Sequence, residues 1–426
     1  MEFYTEPARE IPVSEKTEVL VVGGGPAGIG AAVAAARRGC RTVLVEQSGD
    51  VGGVATTGMM SHWTGDTAGG FYEELLERSR DDAIQGNRQT INPEKLKEAL
   101  FQLLEEENIT LRGYTFASDV ILRGSRAAGI ITESKSGREA ILADIIIDCT
   151  GDGDIAARAG VPFYKGREED GSMQPMTLMF KVAGVDEAAA VFPGSFETNF
   201  PVPKGMIQDL GKEKLPFPAG HVLLYRSTIP GVVTVNMTNC IGVDGTNARD
   251  LTKAHRLCRK QMDEIVVFLR ENVPGYSECY PISSASMIGV RETRHFRGEK
   301  VLTREDVENA VQHEDWAVRD AHFNFDVHNM SGSGLDSTGC QAQFTQKRGY
   351  NIPYGCLVPV NIDGLLLAGR DISGTHMAHS SYRVMPICVK LGEAAGTAAS
   401  LCVKKGIEPR QVDVKELQQC LSSAGK

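Results

Sequence analysis

His376 and His379 stand three residues apart in the segment Ser373–Pro386, and Arg383 closes the same segment. Histidine titrates near neutrality and can exchange a proton with a substrate hydroxyl. Hydrogen bonding within the loop is the plainer use of either ring. The spacing could also suit a metal, but no third ligand is evident in the sequence and none is expected. A second group, Arg291, Arg294 and Arg297, lies in IGVRETRHFRG (288–298). A guanidinium can grip a carboxylate or a polyhydroxy substrate through two parallel hydrogen bonds. On a helix Arg291 and Arg294 would share a face; on a strand they would not. Pairing with Glu292, Glu299 or the acids of 303–308 is the competing structural use. His295 in that segment is a candidate base, and Tyr354 in IPYG a candidate proton donor. This is equipment for moving protons on a polar or anionic organic molecule.

The elements that position these residues begin at VLVVGGGPAGIGAAVAAARRGCRTVLVE (19–46). Val19 to Val22 is a buried-strand run. It enters a turn in which Gly23, Gly25 and Gly28 fit G-x-G-x-x-G. An alanine-rich helix, Ala27 to Arg38, ends at Gly39. Thr42 to Val45 is a second strand, with Glu46 at its end. Gly23 permits the tight turn, Gly25 the approach of a pyrophosphate, and Gly28 close packing of helix on strand. The helix N-terminus offers free N–H groups to phosphate, and Glu46 can accept from a ribose diol. Strand, turn, helix, second strand and acid in this order predict a dinucleotide-binding unit.

Three further segments separate the dinucleotides. Gly52-Gly53 follows Glu46 and resembles the second signature of FAD-binding Rossmann proteins. Ile145 to Cys149 is an apolar strand ending in Thr150-Gly151-Asp152, similar to the Thr-Gly motif that closes an FAD sheet. Leu365-Leu366-Leu367-Ala368-Gly369-Arg370-Asp371 resembles the Gly-Asp motif at the ribityl chain, with one residue inserted. Either Arg370 or Asp371 could then meet the ribityl chain, and Asp371 is favoured. FAD is therefore the expected cofactor.

The whole chain resembles the bacterial FAD-dependent oxidoreductases, flavoproteins broadly related to fumarate reductase and glutathione reductase. TGDGDIAARAG (150–160), IGVRETRHFRG (288–298) and LLLAGRDISGTHMAHSSYRVMPICVKLGEAAGTAA (365–399) carry the likeness together with the N-terminal unit. It implies an α/β fold: a Rossmann-like three-layer FAD domain with a β-meander, and an inserted α+β substrate domain. Implied cofactor contacts are Gly23, Gly25, Pro26, Ala27, Gly28, Glu46, Gln47, Gly52, Gly53, Val120, Thr150, Gly151, Asp152, Gly369, Arg370, Asp371, Val384 and Met385. The stretch Thr115 to Val120 is expected near the adenine. The likeness also gives the first residues their setting. A helix starting near Pro386 should aim its N-terminus at the flavin pyrimidine, and Arg383 could stabilise the reduced anion there. Tying loops together is the alternative. Relatives sometimes attach flavin to a histidine near His62; loop packing is the simpler reading.

Composition narrows the partners. The 426 residues suffice for two domains. A net charge of −10 argues against nucleic acid, which calls for a basic face. No apolar run approaches the roughly 20 residues of a membrane span. The segment MEFYTEPARE lacks the apolar core of a secretory signal. Ten cysteines without a C-x-x-C give no redox pair of the usual kind, and Cys149, Cys388 and Cys402 read as small core residues. A cytoplasmic protein acting on a small molecule is expected; a homo-oligomer is compatible with this.

Asn92-Pro93 marks a helix start, and TLRGYTFASDVIL, AAGIITES and EAILA read as the meander. A polar linker at 165–171 precedes strands at Met176–Val182, Val222–Tyr225 and Val232–Met237. An amphipathic helix with Leu251, Ala254, Cys258, Met262, Ile265 and Leu269 on one face follows. The expected division is residues 1–165 and 350–426 for the FAD domain and 166–349 for the substrate domain. No second dinucleotide fingerprint appears, so the other redox partner should be a diffusing acceptor or donor, oxygen, or a nicotinamide held without a Rossmann site. The leading reading is hydride transfer between a C–H beside oxygen or nitrogen and the flavin. Reduction of a carbon–carbon double bond in an unsaturated acid is the second, and a non-catalytic flavoprotein or partner protein the third.

Overall fold

The computed structural model describes residues 2–67, 69–81, 88–339 and 343–423. The apolar run at Val19–Val22 forms the buried end of β1 (Val13–Val22), as a central parallel strand requires. The glycine turn opens α1 (Pro26–Arg37), and β2 (Thr42–Val45) follows. Next come α2 (Phe71–Arg78) and α3 (Pro93–Glu106). Asn92 caps α3 by accepting from the Glu94 and Lys95 amides, with Pro93 at the first position. Then β3 (Thr110–Arg112), β4 (Phe116–Arg123), β5 (Arg126–Ser134) and β6 (Gly137–Asp148) lead into α4 (Asp154–Ala159) and β7 (Phe163–Lys165).

The middle of the chain builds a second core. β8 (Phe180–Ala183) precedes the short hairpin β9 (Pro201–Val202) and β10 (Gly205–Met206), then α5 (Ile207–Lys214). β11 (Leu224–Arg226), β12 (Val233–Val235), α6 (Ala248–Asn272) and β13 (Tyr280–Ser284) complete it. Its antiparallel sheet runs β11-β12-β8-β13. Ile265, Phe268 and Leu269 of α6 join Phe180, Val182, Val233 and Val235 in one apolar cluster. Ala254 and Cys258 pack in a smaller one with Met176, Leu178 and Ile288. The face read from the sequence is thus the one that is buried.

The chain then returns through β14 (Arg294–Phe296), α7 (Arg304–Glu308), β15 (Trp316–Ala321) and β16 (Tyr350–Pro353). It ends with β17 (Leu365–Leu367), α8 (His376–Tyr382), α9 (Met385–Lys405) and α10 (Val414–Ser423). Phe296, Leu302, Val318 and Phe325 pack with the first core, not the second. The second core draws on residues from Met176 to Ile288, a shorter stretch than the 166–349 set apart above.

The main sheet has the order β3-β2-β1-β6-β5-β4, with β17 also paired to β6. Strands β3, β2, β1, β6 and β17 are parallel; β4 and β5 form the antiparallel meander. Leu44, Val21, Ile147 and Leu366 align across it, all with no exposed surface. α1 and α9 cross with backbones nearly touching. A methyl on Gly392 would meet the Ala27 carbonyl oxygen at 1.9 Å, and one on Gly396 the Ala31 oxygen at 2.1 Å. That contact fixes the start of α1, and with it the glycine turn, against the helix that follows the His376–Arg383 segment. Among the described residues no helix is long and apolar enough to cross a membrane.

Candidate active site

The glycine turn lies at the carboxyl end of the parallel strands. Gly23 takes a positive φ of 100°, and a side chain there would strike the Cys149 carbonyl. A methyl on Gly28 would sit 1.8 Å from the Gly23 oxygen, so helix and turn can meet only through glycine. Gly25 caps α1 with no side-chain bond, and a methyl there would meet no atom within 4 Å. The first amides of α1, after Pro26 and beside Ala27, therefore face outward as an anion site. Glu46 accepts from the Gly24 amide at 2.7 Å and the Ser48 amide at 2.8 Å, which holds the turn to the end of β2. Gln47 beside it is exposed. Gly52 donates to the Gly24 oxygen at 2.7 Å, and Gly53 lies against Gly25.

Gly369 packs over Ala27, and the two residues after it diverge. Arg370 turns to Gly151 and pairs with Asp152 at 3.2 Å. Asp371 has no exposed surface, and neither of its oxygens has a partner among the described residues. Burial, with Asp148 nearby, pushes its carboxyl well above the usual range. An orphaned carboxyl beside the turn suits the hydroxyls of a ribityl chain, and an uncapped helix start suits a pyrophosphate. These residues fit FAD.

Thr150 and Asp152 serve the protein's own framework. Asp148 accepts from Thr150 and from the amides of Ile155 and Ala156 at the start of α4; burial raises its pKa to about 6. Asp152 accepts from the Thr293 hydroxyl at 2.8 Å. Val120 pairs with Ile130, which faces Ile141, seven positions before Asp148 along β6. The segment that reaches the end of β2 is the turn before β4, where Thr115 donates to the Glu46 oxygen. Val384 and Met385 open α9 with no side-chain cap, and Val384 faces Gly65.

His376, His295 and Glu292 converge. The Glu292 Oε1 lies 2.6 Å from His376 Nδ1 and 2.8 Å from His295 Nε2, and its Oε2 accepts from the Gln174 amide at 3.1 Å. All three side chains are buried. Burial alone would raise the Glu292 carboxyl, but the two histidine bonds outweigh it and hold it well below the usual carboxylate range. Burial alone would lower His376; the bond to Glu292 reverses this and raises it. His295 is fixed further by the Gly374 carbonyl at 3.0 Å and by Tyr164 of β7, stacked on it at 4.9 Å. Glu168 accepts from both the Tyr164 hydroxyl and the His376 amide.

A third ligand type thus joins the histidines in space, though His379 is not part of the trio. Separations of 2.6–2.8 Å are those of hydrogen bonds. Two ligands of a tetrahedral zinc stand about 3.3 Å apart for bonds of about 2.0 Å. His379 instead sets its ring edge-on to His295 at 5.0 Å, and burial, then His295, pushes it well below its ordinary value.

The arginines separate, because 291–293 is irregular and β14 begins at Arg294. Arg294 donates to the Asp152 oxygen at 2.6 Å and to Asp154 at 3.0 Å, tying β14 to α4. Arg297 is exposed. The Tyr354 hydroxyl donates to the Pro409 oxygen at 2.9 Å, away from the trio. Arg383 binds Asp326 through its carbonyl at 2.8 Å and its carboxylate at 2.7 Å. Among the described residues Arg291 reaches only the Pro175 oxygen at 2.6 Å and the Thr177 hydroxyl at 2.8 Å; burial, then Arg383, lowers it to about 10. His62 accepts or donates through Nδ1 to the Ser61 hydroxyl and lies against Tyr225 at 5.0 Å.

The sequence reading took Glu292 only as a structural partner and passed over Gln174, Asp326, His328 and His221. The Glu292–His295 spacing was visible; the others lie in segments without a motif.

The profile of the family described as FAD dependent oxidoreductase matches residues 18–421. The tRNA uridine 5-carboxymethylaminomethyl modification enzyme MnmG of Dichelobacter nodosus is 31% identical over 138 residues, which cover 28% of this chain and 22% of that enzyme. The likeness thus spans about a fifth of that relative. Among solved structures, a geranylgeranyl bacteriochlorophyll reductase-like protein from Thermoplasma acidophilum is similar at a TM-score of 0.49 and 13% identity, over 96% of this chain and 84% of that one. The p-nitrophenol 4-monooxygenase PnpA from Pseudomonas putida gives 0.46 and 11%, over 97% and 85%.

Proposed function

The chain belongs to the FAD dependent oxidoreductase family, and we propose that it transfers a hydride between flavin N5 and a carbon beside oxygen or nitrogen in a small polar substrate. The observation that carries this reading is the Glu292 carboxylate shared by His376 and His295 at 2.6 and 2.8 Å. FAD, when bound, supplies the two-electron acceptor or donor. The chain must then handle the proton that accompanies the hydride. His376 holds Nδ1 on Glu292, which leaves Nε2 as the nitrogen that exchanges with the substrate. Glu292 fixes the ring and stabilises its charged form, as an orienting carboxylate does beside a general base. Its effect on His376 favours the protonated ring, ready to donate when the substrate is reduced and needing higher pH to accept when it is oxidised. Gln174, Tyr164 and Glu168 restrain the trio from other elements.

Reduction of a carbon–carbon double bond in an unsaturated acid is a second reading. Arg291, which among the described residues has no carboxylate of its own, favours it. The test is anaerobic mixing of FAD-loaded protein with hydroxy acids, sugars, amines and, after chemical reduction, unsaturated acids. Bleaching of the flavin by one of the first three classes is expected. Reoxidation by an unsaturated acid alone would favour the second reading, and no response to any class would reject both.

A further inference from the structure

We propose that Arg291 is the base of an anion-binding subsite that takes a carboxylate bearing a neighbouring hydroxyl. It rests on the oxidoreductase reading only in assigning that carboxylate to the substrate.

The charges around Arg291 do not balance. Among the described residues no carboxylate lies within 4.0 Å of its guanidinium, whose partners are a carbonyl and a hydroxyl. Asp326 is the acid nearby, and Arg383 already holds its Oδ2 at 2.7 Å. Two guanidinium groups therefore share one carboxylate. The neighbouring rings add no charge of either sign: burial depresses His328 to about 4 and His221 to about 3, so both are neutral at pH 7. Arg291 is partly buried, and a cation withdrawn from water with only a shared carboxylate near it is costly; an incoming anion reduces that cost.

Unpartnered atoms around the cluster describe the rest of the ligand. Gln174 Nε2 and Arg383 Nε are buried donors with no acceptor among the described residues. His221 Nδ1 and Asn236 Oδ1 are buried atoms in the same condition. His221 Nε2 lies 3.2 Å from the Asn236 carbonyl, which can only accept, so Nε2 carries the proton and Nδ1 is an acceptor. The subsite thus offers cationic and amide donors to an anion, and two acceptors to an adjacent O–H. Phe196 closes it, with its ring edge-on to His221 at 4.9 Å and to His328 at 5.0 Å. Gln174 joins the subsite to the proton-handling trio: its side-chain oxygen accepts from the His328 amide while its own amide donates to Glu292.

Calorimetric titration of the FAD-loaded protein with malonate, malonamide and tartronate tests this without turnover. Malonate should bind saturably, at least tenfold tighter than malonamide, and tartronate tighter than malonate. Arg291→Met should weaken malonate at least tenfold while Arg291→Lys restores part of the loss. Equal binding of malonate and malonamide, no binding of either, or an undiminished Arg291→Met would overturn the subsite. The wild-type comparison decides alone if the variant fails to fold. Malonate binding in a protein whose flavin no substrate bleaches would keep the subsite and reject the hydride-transfer reading. Bleaching by neutral substrates without malonate binding would do the reverse.

Discussion

His376 Nδ1 and Glu292 Oε1 meet at 2.6 Å although 84 residues separate them in the chain. His376 opens α8 from the last strand of the FAD-binding sheet, while Glu292 precedes β14, which pairs with β7. The contact joins the segment that follows the last strand of the main sheet to the segment leading out of the second core.

Replacing Glu292 by Gln should therefore lower the pKa of His376. The carboxylate raises that pKa in the wild type, so oxidation of substrate, which needs the neutral ring, gains rate only above the usual histidine value of about 6.5. In Glu292→Gln the rising limb should move to lower pH. Stability carries the opposite sign for the acid. The depressed Glu292 pKa contributes stability above about 4.3 that is lost as pH falls through the folded value. Acid melts should show a shallower loss in the variant, with an overall decrease on the order of 3 kcal/mol near neutrality.

Glu46→Ala should loosen the cofactor. Its carboxylate fixes the Gly24 and Ser48 amides at the end of β2, the position from which the sequence motif predicts a ribose contact. Loss of such a charge-assisted bond costs about 1.5–3 kcal/mol, or roughly ten- to a hundred-fold in FAD affinity. Titration of apoprotein with FAD measures it; an unchanged Kd would move the ribose contact elsewhere.

Asp371→Ala should act in opposite directions on apoprotein and holoprotein. Two buried oxygens without partners are a cost to the FAD-free fold, about 1–3 kcal/mol for an unsatisfied group. Their removal should leave the apoprotein equally or more stable while FAD binds at least tenfold more weakly. Parallel losses in denaturation midpoint and FAD affinity would mark Asp371 as a framework residue.

The nucleotide half was legible because its chemistry is local. Gly23, Gly25, Gly28 and Glu46 lie within one strand–helix–strand unit, so spacing and geometry are the same information. Thr150, Arg370 and Asp371 were legible as motifs, but which of Arg370 and Asp371 turns inward depends on Asp152, more than 200 residues away. The Glu292–His295–His376 trio was visible only in pieces, since no periodicity relates Glu292 to His376. Arg294 and Tyr354 carry the right groups in segments that spend them on Asp154 and Pro409. Asp326 and His328 had no motif, and the pairing of Asp326 with Arg383 and with His328 comes from the fold.

Gly392→Ala tests how the framework is held. Its methyl would fall 1.9 Å from the Ala27 oxygen, inside the first turn of α1. Overpacking of this kind costs about 1–3 kcal/mol, and here it should push the glycine turn and weaken FAD as well. Denaturant midpoint and FAD Kd should both worsen; a neutral variant would mean that α1 and α9 separate freely.

If His376, held by Glu292, moves the proton that accompanies the hydride, its loss must slow flavin reduction. The most direct measurement is the anaerobic rate of flavin bleaching in wild-type and His376→Asn proteins, both FAD-loaded, with a substrate found in the class screen. A general acid–base contributes about 10²- to 10⁴-fold. The variant should therefore bleach at least a hundredfold more slowly and lose the pH dependence seen in the wild type. Bleaching at the wild-type rate with the same pH profile would contradict the account.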